Sequence, residues 1–200
     1  MMRSKPRGIV FNSKIDVDKL AKQILVNEPE ILEKHPPQNW NKTKYVDGGT
    51  GLGYDSLTSR SCHYNMLDWE DSELLRKEIR RGYELFTNLK DKPLYVQVWA
   101  NVMRKGEKIQ PHRHWQRYEE VHMLSGHICV QVDGSTSTYY AGKPMLNKKG
   151  QMTLFSSIIS HWTDTYYGEK ERITVAFDIM SKELFEFDVI EEARDHWIKI

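Results

Sequence analysis

The chemistry of this chain concentrates in His112 and His114, which flank Arg113, in the distant His161, and in Arg172 and Thr174 at the start of a strand-like run. A β-strand turns successive side chains to opposite faces, so His112 and His114 share one face and can converge on a single ion. His161 completes a three-ligand set. Imidazole nitrogen suits iron, zinc, copper and nickel, and three protein ligands leave positions open for water or a reactant, as a catalytic metal needs. Arg172 and Thr174 also share a face, opposite Ile173, Val175, Phe177 and Ile179. A guanidinium reads a carboxylate through two parallel hydrogen bonds, and a hydroxyl two residues on can donate to the same group. The pair could therefore anchor a dicarboxylate if its face looks into a polar cavity rather than into solvent. Trp99 and Asn101, on the polar face of the strand before the histidine pair, are candidates to line that cavity.

Holding these groups together requires a β scaffold, and the hydrophobic pattern supplies one. After Pro93 the period changes from 3.6 to 2, with Leu94, Val96, Val98, Ala100 and Val102 on one face and Tyr95, Gln97, Trp99, Asn101 and Met103 on the other. Further strands are predicted over residues 121–132, 135–140, 151–156 and 172–179, separated by turns such as Asp133-Gly134-Ser135 and Asn147-Lys148-Lys149-Gly150. His112 follows the turn Arg104-Lys105-Gly106-Glu107 and a proline, and His161 follows the apolar run from Phe155 to Ile159, so both sit where sites are built on β scaffolds.

Around this core the pattern predicts helices. Residues 17–34 carry apolar side chains at helical spacing behind Asp16 or Asp18, with Pro29 expected to break or restart the helix. A second helix starts at Asp71 or Ser72, with Leu74, Leu75, Ile79, Tyr83, Phe86 and Leu89 as its apolar stripe. Residues 39–65 read as a long loop in which Gly49 to Gly53 form a flexible lid, and residues 189–197 read as a C-terminal helix. His35, His63, His122, His127 and His196 read as structural. The organisation expected is one domain over 1–200: a helical and loop buttress over 1–93, a jelly-roll core over 94–179 and an extension over 180–200.

Lys plus Arg number 29 and Asp plus Glu 28, so the net charge of +1 gives no strong signal for nucleic acid or an anionic membrane. Cys62 and Cys129 lack the spacing of a thiolate zinc site and read as reduced thiols. No run of 18 apolar residues and no secretory signal is present, which leads to the expectation of a cytoplasmic protein.

The order His-x-His, distal His, then Arg-x-Thr on the last core strand resembles the double-stranded β-helix of iron(II)- and 2-oxoglutarate-dependent oxygenases. That superfamily usually carries Asp or Glu where this chain has His114, so the two-histidine, one-carboxylate triad is not reproduced. The stretches Gly49-Thr50-Gly51-Leu52-Gly53, Ser56 to Arg60, Trp99 to Val102, Leu124-Ser125-Gly126 and Glu171 to Phe177 further resemble oxygenases encoded by marine cyanophages. A second resemblance overlaps the first: Gly106, His112, His114, Glu119 and Gly126 fit the first cupin motif, and Gly150 and His161 fit part of the second. It nominates Glu119 as an alternative ligand, although Glu119 reaches the face of the histidines only if the chain bulges between Trp115 and Tyr118.

The first resemblance implies a mainly β, jelly-roll fold and an iron(II)- and 2-oxoglutarate-dependent hydroxylase. Its metal would be held by His112, His114 and His161, and its cosubstrate by Arg172 and Thr174 with Asn101 nearby. It would act on a small-molecule or peptidyl substrate and, if phage-encoded, in the host cytoplasm. The cupin resemblance implies instead a metal-dependent dioxygenase or isomerase without a cosubstrate. A sugar- or small-ligand-binding jelly roll without catalysis, its metal structural or missing, is the non-enzymatic alternative.

Overall fold

The alternating run after Pro93 forms β2 (Leu94–Met103), which pairs antiparallel along its whole length with β8 (Arg172–Ser181), from Leu94 opposite Ser181 to Met103 opposite Arg172. The structure, a computed structural model, describes residues 8–37, 51–114, 123–188 and 195–200. Glu119, His122, Gly49 and Thr50 lie outside the described residues. Around the β2–β8 pair stand β1 (Gly8–Asn12), β3 (Met123–Gln131), β6 (Gln151–Ser156) and β9 (Ile198–Lys199), giving one sheet of order β1-β6-β3-β8-β2-β9. A second sheet has the order β5-β4-β7, from β4 (Ser137–Tyr140), β5 (Lys143–Leu146) and β7 (His161–Thr163). The two sheets form a jelly roll, mainly β, as expected.

The large sheet has one apolar and one polar face. Its apolar face, carrying Val98, Ala100, Leu124, Ile128, Leu154, Val175 and Phe177, packs against α1 (Val17–Lys34) and α2 (Glu73–Thr87) through Ile24, Ile31, Ile79 and Tyr83. Close approach is required here: a Cβ on Gly126 would lie 2.5 Å from the Phe177 ring, and one on Gly82 would lie 2.9 Å from Leu154. The other face carries Trp99, Asn101 and Met103 of β2, Ser125, His127 and Cys129 of β3, and Arg172, Thr174 and Asp178 of β8. All nine are buried, because this face looks into the space between the sheets.

Several local expectations are corrected. Pro29 does not interrupt α1. It lies on the exposed side, where water can satisfy the carbonyl it leaves without a donor, while Ile24 and Ile31 anchor the opposite side. Asp16 is the cap, its carboxylate accepting from Lys19 N at 3.0 Å. On α2, Leu74 points outward, and Leu89 lies exposed beyond the Asn88 cap, so neither belongs to the buried stripe. The helix after β8 is α3 (Lys182–Asp188), earlier than predicted, and the chain ends in β9 on the edge of β2. Of the helix predicted over 189–197, residues 189–194 lie outside the described residues, and Asp195, His196 and Trp197 are not helical. β1, β5, β7 and β9 were not anticipated. The described part of the long loop contains two short 3-10 helices, Leu57–Arg60 and Met66–Asp68, and is packed rather than open. Leu52, within the proposed lid, is buried with Met103, Ile109 and Tyr166.

Candidate metal centre

Backbone pairing brings the three histidines together. His112 and His161 form an isolated antiparallel bridge, with His112 N donating to His161 O at 3.1 Å and His161 N to His112 O at 3.0 Å. His114 is tied to the same rim by its N–H to Ser157 O at 3.2 Å. Each side chain offers a ring nitrogen, and these three atoms lie within 4.8 Å of one another.

The outer nitrogens are all committed. His112 Nδ1 faces Gln110 O at 2.8 Å and His161 Nδ1 faces Ile159 O at 3.0 Å; a carbonyl only accepts, so each Nδ1 carries the proton. His114 Nδ1 lies 2.7 and 2.8 Å from the two oxygens of Asp178, which fixes the same tautomer. Nε2 of each ring is thereby left as a lone pair aimed inward. The Nε2 atoms of His112 and His114 are 3.2 Å apart, two lone pairs in contact that repel unless a cation lies between them. Nitrogens about 2.0–2.1 Å from one ion stand roughly 2.9–3.4 Å apart in tetrahedral or octahedral geometry, so this pair fits a bound metal. Burial first, and then the neighbouring His114, hold His112 down at about 4; burial and the neighbouring His112 hold His161 well below the ordinary histidine value. Both are therefore neutral near pH 7, the form that ligates.

Asp178 was missed by sequence reasoning. It accepts from Ser125 Oγ at 2.6 Å as well as from His114. The available signal was parity: Asp178 shares the face of Arg172 and Thr174 on the same strand.

Arg172 lies on this inner face, 1% exposed. Its Nη1 contacts Met103 Sδ at 3.1 Å, its Nη2 donates to Thr138 Oγ1 at 3.3 Å, and its Nε has no partner among the described residues. Among the described residues no carboxylate lies within ion-pair distance of it. Burial pulls its pKa down. An unpaired buried cation costs several kcal/mol, about what an anionic ligand would return.

Thr174 is oriented by a chain of side chains. Trp99 Nε1, which can only donate, faces Asn101 Oδ1 at 3.2 Å, and Thr58 Oγ1 donates to the same oxygen at 2.6 Å. That fixes the amide, so Nδ2 donates to Thr174 Oγ1 at 3.4 Å and the Thr174 hydroxyl is free to donate its own proton elsewhere. Asn101 thus positions Thr174 and couples it to the 51–65 segment. His127 is buried, which holds it at about 3, and the charge of Arg172 lowers it further. His35, His63 and His196 form a separate cluster, His35 stacked on His63 at 6.0 Å and His196 edge-on to His63 at 6.2 Å. Glu119, the alternative ligand, lies outside the described residues. No described helix is long and apolar enough to cross a membrane.

No protein-family model and no curated protein sequence matches the chain. Solved structures do. The non-heme α-ketoglutarate-dependent carbocyclase SnoK from nogalamycin biosynthesis matches with a TM-score of 0.59 at 12% identity, over 88% of this chain and 80% of that one. A viral collagen prolyl hydroxylase from Paramecium bursaria Chlorella virus-1, solved as its 2OG complex, matches with a TM-score of 0.57 at 10% identity, over 90% of this chain and 99% of that one. The non-heme α-ketoglutarate-dependent epimerase SnoN gives 0.56 at 11% identity, over 88% of this chain and 77% of that one. At such identities the likeness is one of fold, and this chain shares the double-stranded β-helix of these three enzymes.

Proposed function

We propose that the protein is an iron(II)- and 2-oxoglutarate-dependent oxygenase that hydroxylates a small-molecule or peptidyl substrate. The observation that carries this reading is the buried Arg172, without a carboxylate partner among the described residues, on the same inner face as three imidazoles whose Nε2 atoms converge. A metal site alone does not call for a buried guanidinium; a dicarboxylate held between the two does. The fold neighbours described as α-ketoglutarate-dependent support the same cosubstrate.

Bound iron would supply dioxygen activation, and 2-oxoglutarate would supply two electrons, giving succinate and carbon dioxide with one oxygen atom in succinate and the other in the product. The protein's own residues hold and orient. His112, His114 and His161, their Nδ1 protons locked, present Nε2 lone pairs to the ion. Arg172 pairs with the distal carboxylate of the cosubstrate, and Thr174 donates to it because Asn101 already occupies its acceptor side. Trp99, its ring 5.7 Å from that of His114, and buried Phe155, packed edge-on to His161 at 4.8 Å, keep water from the rings. Similarity to cyanophage oxygenases supports a phage-encoded enzyme of the host cytoplasm, and substrate selection is assigned to the 40–65 segment, whose Thr58 reaches Asn101.

The test is an anaerobic titration of metal-free protein with iron(II) and then 2-oxoglutarate, followed by visible absorption. A charge-transfer band that needs both additions and weakens in Arg172→Ala supports the reading. Iron binding without a band overturns it. That outcome favours a cupin-type dioxygenase or isomerase using His112, His114 and His161 with Glu119, a second reading favoured by the three-imidazole set itself. Absence of metal binding leaves the non-enzymatic, ligand-binding jelly roll.

A further inference from the structure

We infer that Asp178 is a positioning residue of the metal centre: held by Ser125 and hydrogen-bonded through both oxygens to His114, it supplies from one layer out the negative charge that the three-histidine ligand set lacks. This rests on the metal part of the proposed function and is independent of the cosubstrate.

Two observations carry it. The first is geometric. Both Asp178 oxygens lie within 2.8 Å of His114 Nδ1, and Ser125 Oγ, fully buried, donates to Oδ1 at 2.6 Å. Asp178 is itself 7% exposed, and its only cationic partner among the described residues is the His114 ring. A buried carboxylate is costly unless the group it faces carries positive charge. Coordination of a divalent ion at Nε2 places that charge on the ring, and the carboxylate is then compensated. The second observation is the ligand set. Where a carboxylate ligates, it cancels part of the ion's double positive charge; three neutral imidazoles leave all of it. Asp178 restores a single net charge without taking a coordination position, which keeps more of the ion's faces open.

His112 and His161 rest on backbone carbonyls instead, so Asp178 makes His114 the most electron-donating of the three. Its place on β8 is also telling. Asp178 and Arg172 stand on one face of one strand, so the strand carries the anion that strengthens the metal ligand and the cation that receives an anionic ligand.

The experiment uses cobalt(II) as the probe, with affinity from calorimetry and ligand field from its visible d–d bands, on the full chain. Asp178→Asn keeps the shape and an acceptor for His114 while removing the charge; Ser125→Ala removes only the support of Asp178. Metal-free melting curves identify any variant that fails to fold, and the gentler Ser125→Ala then carries the test. The expected result is about 10–100-fold weaker cobalt binding in Asp178→Asn with a shifted d–d spectrum, and a smaller loss in Ser125→Ala. Wild-type affinity and spectrum in both folded variants would overturn the inference while leaving the metal site standing. No cobalt binding by the wild type would overturn both. Weakened binding in the variants of a protein that gives no band with iron and 2-oxoglutarate would uphold the inference and remove the oxygenase reading.

Discussion

β8 is buried along its whole length, and its two faces are made of opposite chemistry. Ile173, Val175, Phe177 and Ile179 look toward the helices and pack among apolar side chains; Arg172, Thr174 and Asp178 look between the sheets and meet sulfur, hydroxyl, amide and imidazole groups. Equal burial therefore serves two ends. The apolar face gains free energy by leaving water, about 1.5–3 kcal/mol for each large side chain. The polar face gives free energy up, and it is the face that can take a ligand, because a charge without its partner is an unfilled binding energy.

Substitutions on β8 and at the rim separate the two faces. The largest effect is expected at the rim: His161→Ala should lose metal binding altogether, read as metal-to-protein stoichiometry after dialysis, with the melting temperature of the metal-free protein little changed. Phe177→Ala, on the other face, should leave metal binding intact and cost about 3–5 kcal/mol in denaturant unfolding. A cost below about 1 kcal/mol would mean that the apolar face is not the seat of stability. Arg172→Met should do the reverse of a core substitution. Replacing an unpaired buried charge with an apolar group leaves stability unchanged or raises it by about 1–4 kcal/mol, while the rise in melting temperature that 2-oxoglutarate gives the iron-loaded wild type should vanish. Destabilisation by Arg172→Met would point to a structural role for the guanidinium.

The smallest effect is that of pH on the metal-free protein. His112 is held at about 4 and His127 at about 3, both first by burial. As the pH falls, the unfolded chain takes up protons near the ordinary value of 6.5, whereas the folded protein takes up the His112 proton only near 4. Stability from these groups is thus complete above about 6.5 and is lost progressively as the pH falls toward 4. The melting temperature should drop between pH 7 and pH 5. A flat profile would show that water reaches the imidazoles.

Much of the frame was legible in the residues. Alternation marked β2 and β8 because a half-apolar strand must repeat every second residue, and helical spacing marked α1 and α2. Short elements with little pattern, β1, β5, β7 and β9, were not legible, since two to five residues hold too few alternations to stand out. Pro29 misled because a proline's cost depends on which way its helix face looks.

The two chemically different faces of β8, the shared direction of His112 and His114, and the pairing of Arg172 with Thr174 can all be read from residue order, because side-chain parity along a strand is a local property. Residue order does not say that the polar face turns inward rather than to water, that His161 meets His112 across a bridge, or that Asp178 reaches His114 from 64 residues away. Those facts depend on how the two sheets stack and which strands adjoin. Stacking and adjacency follow from burying the apolar faces of all the elements at once, and no single segment encodes that.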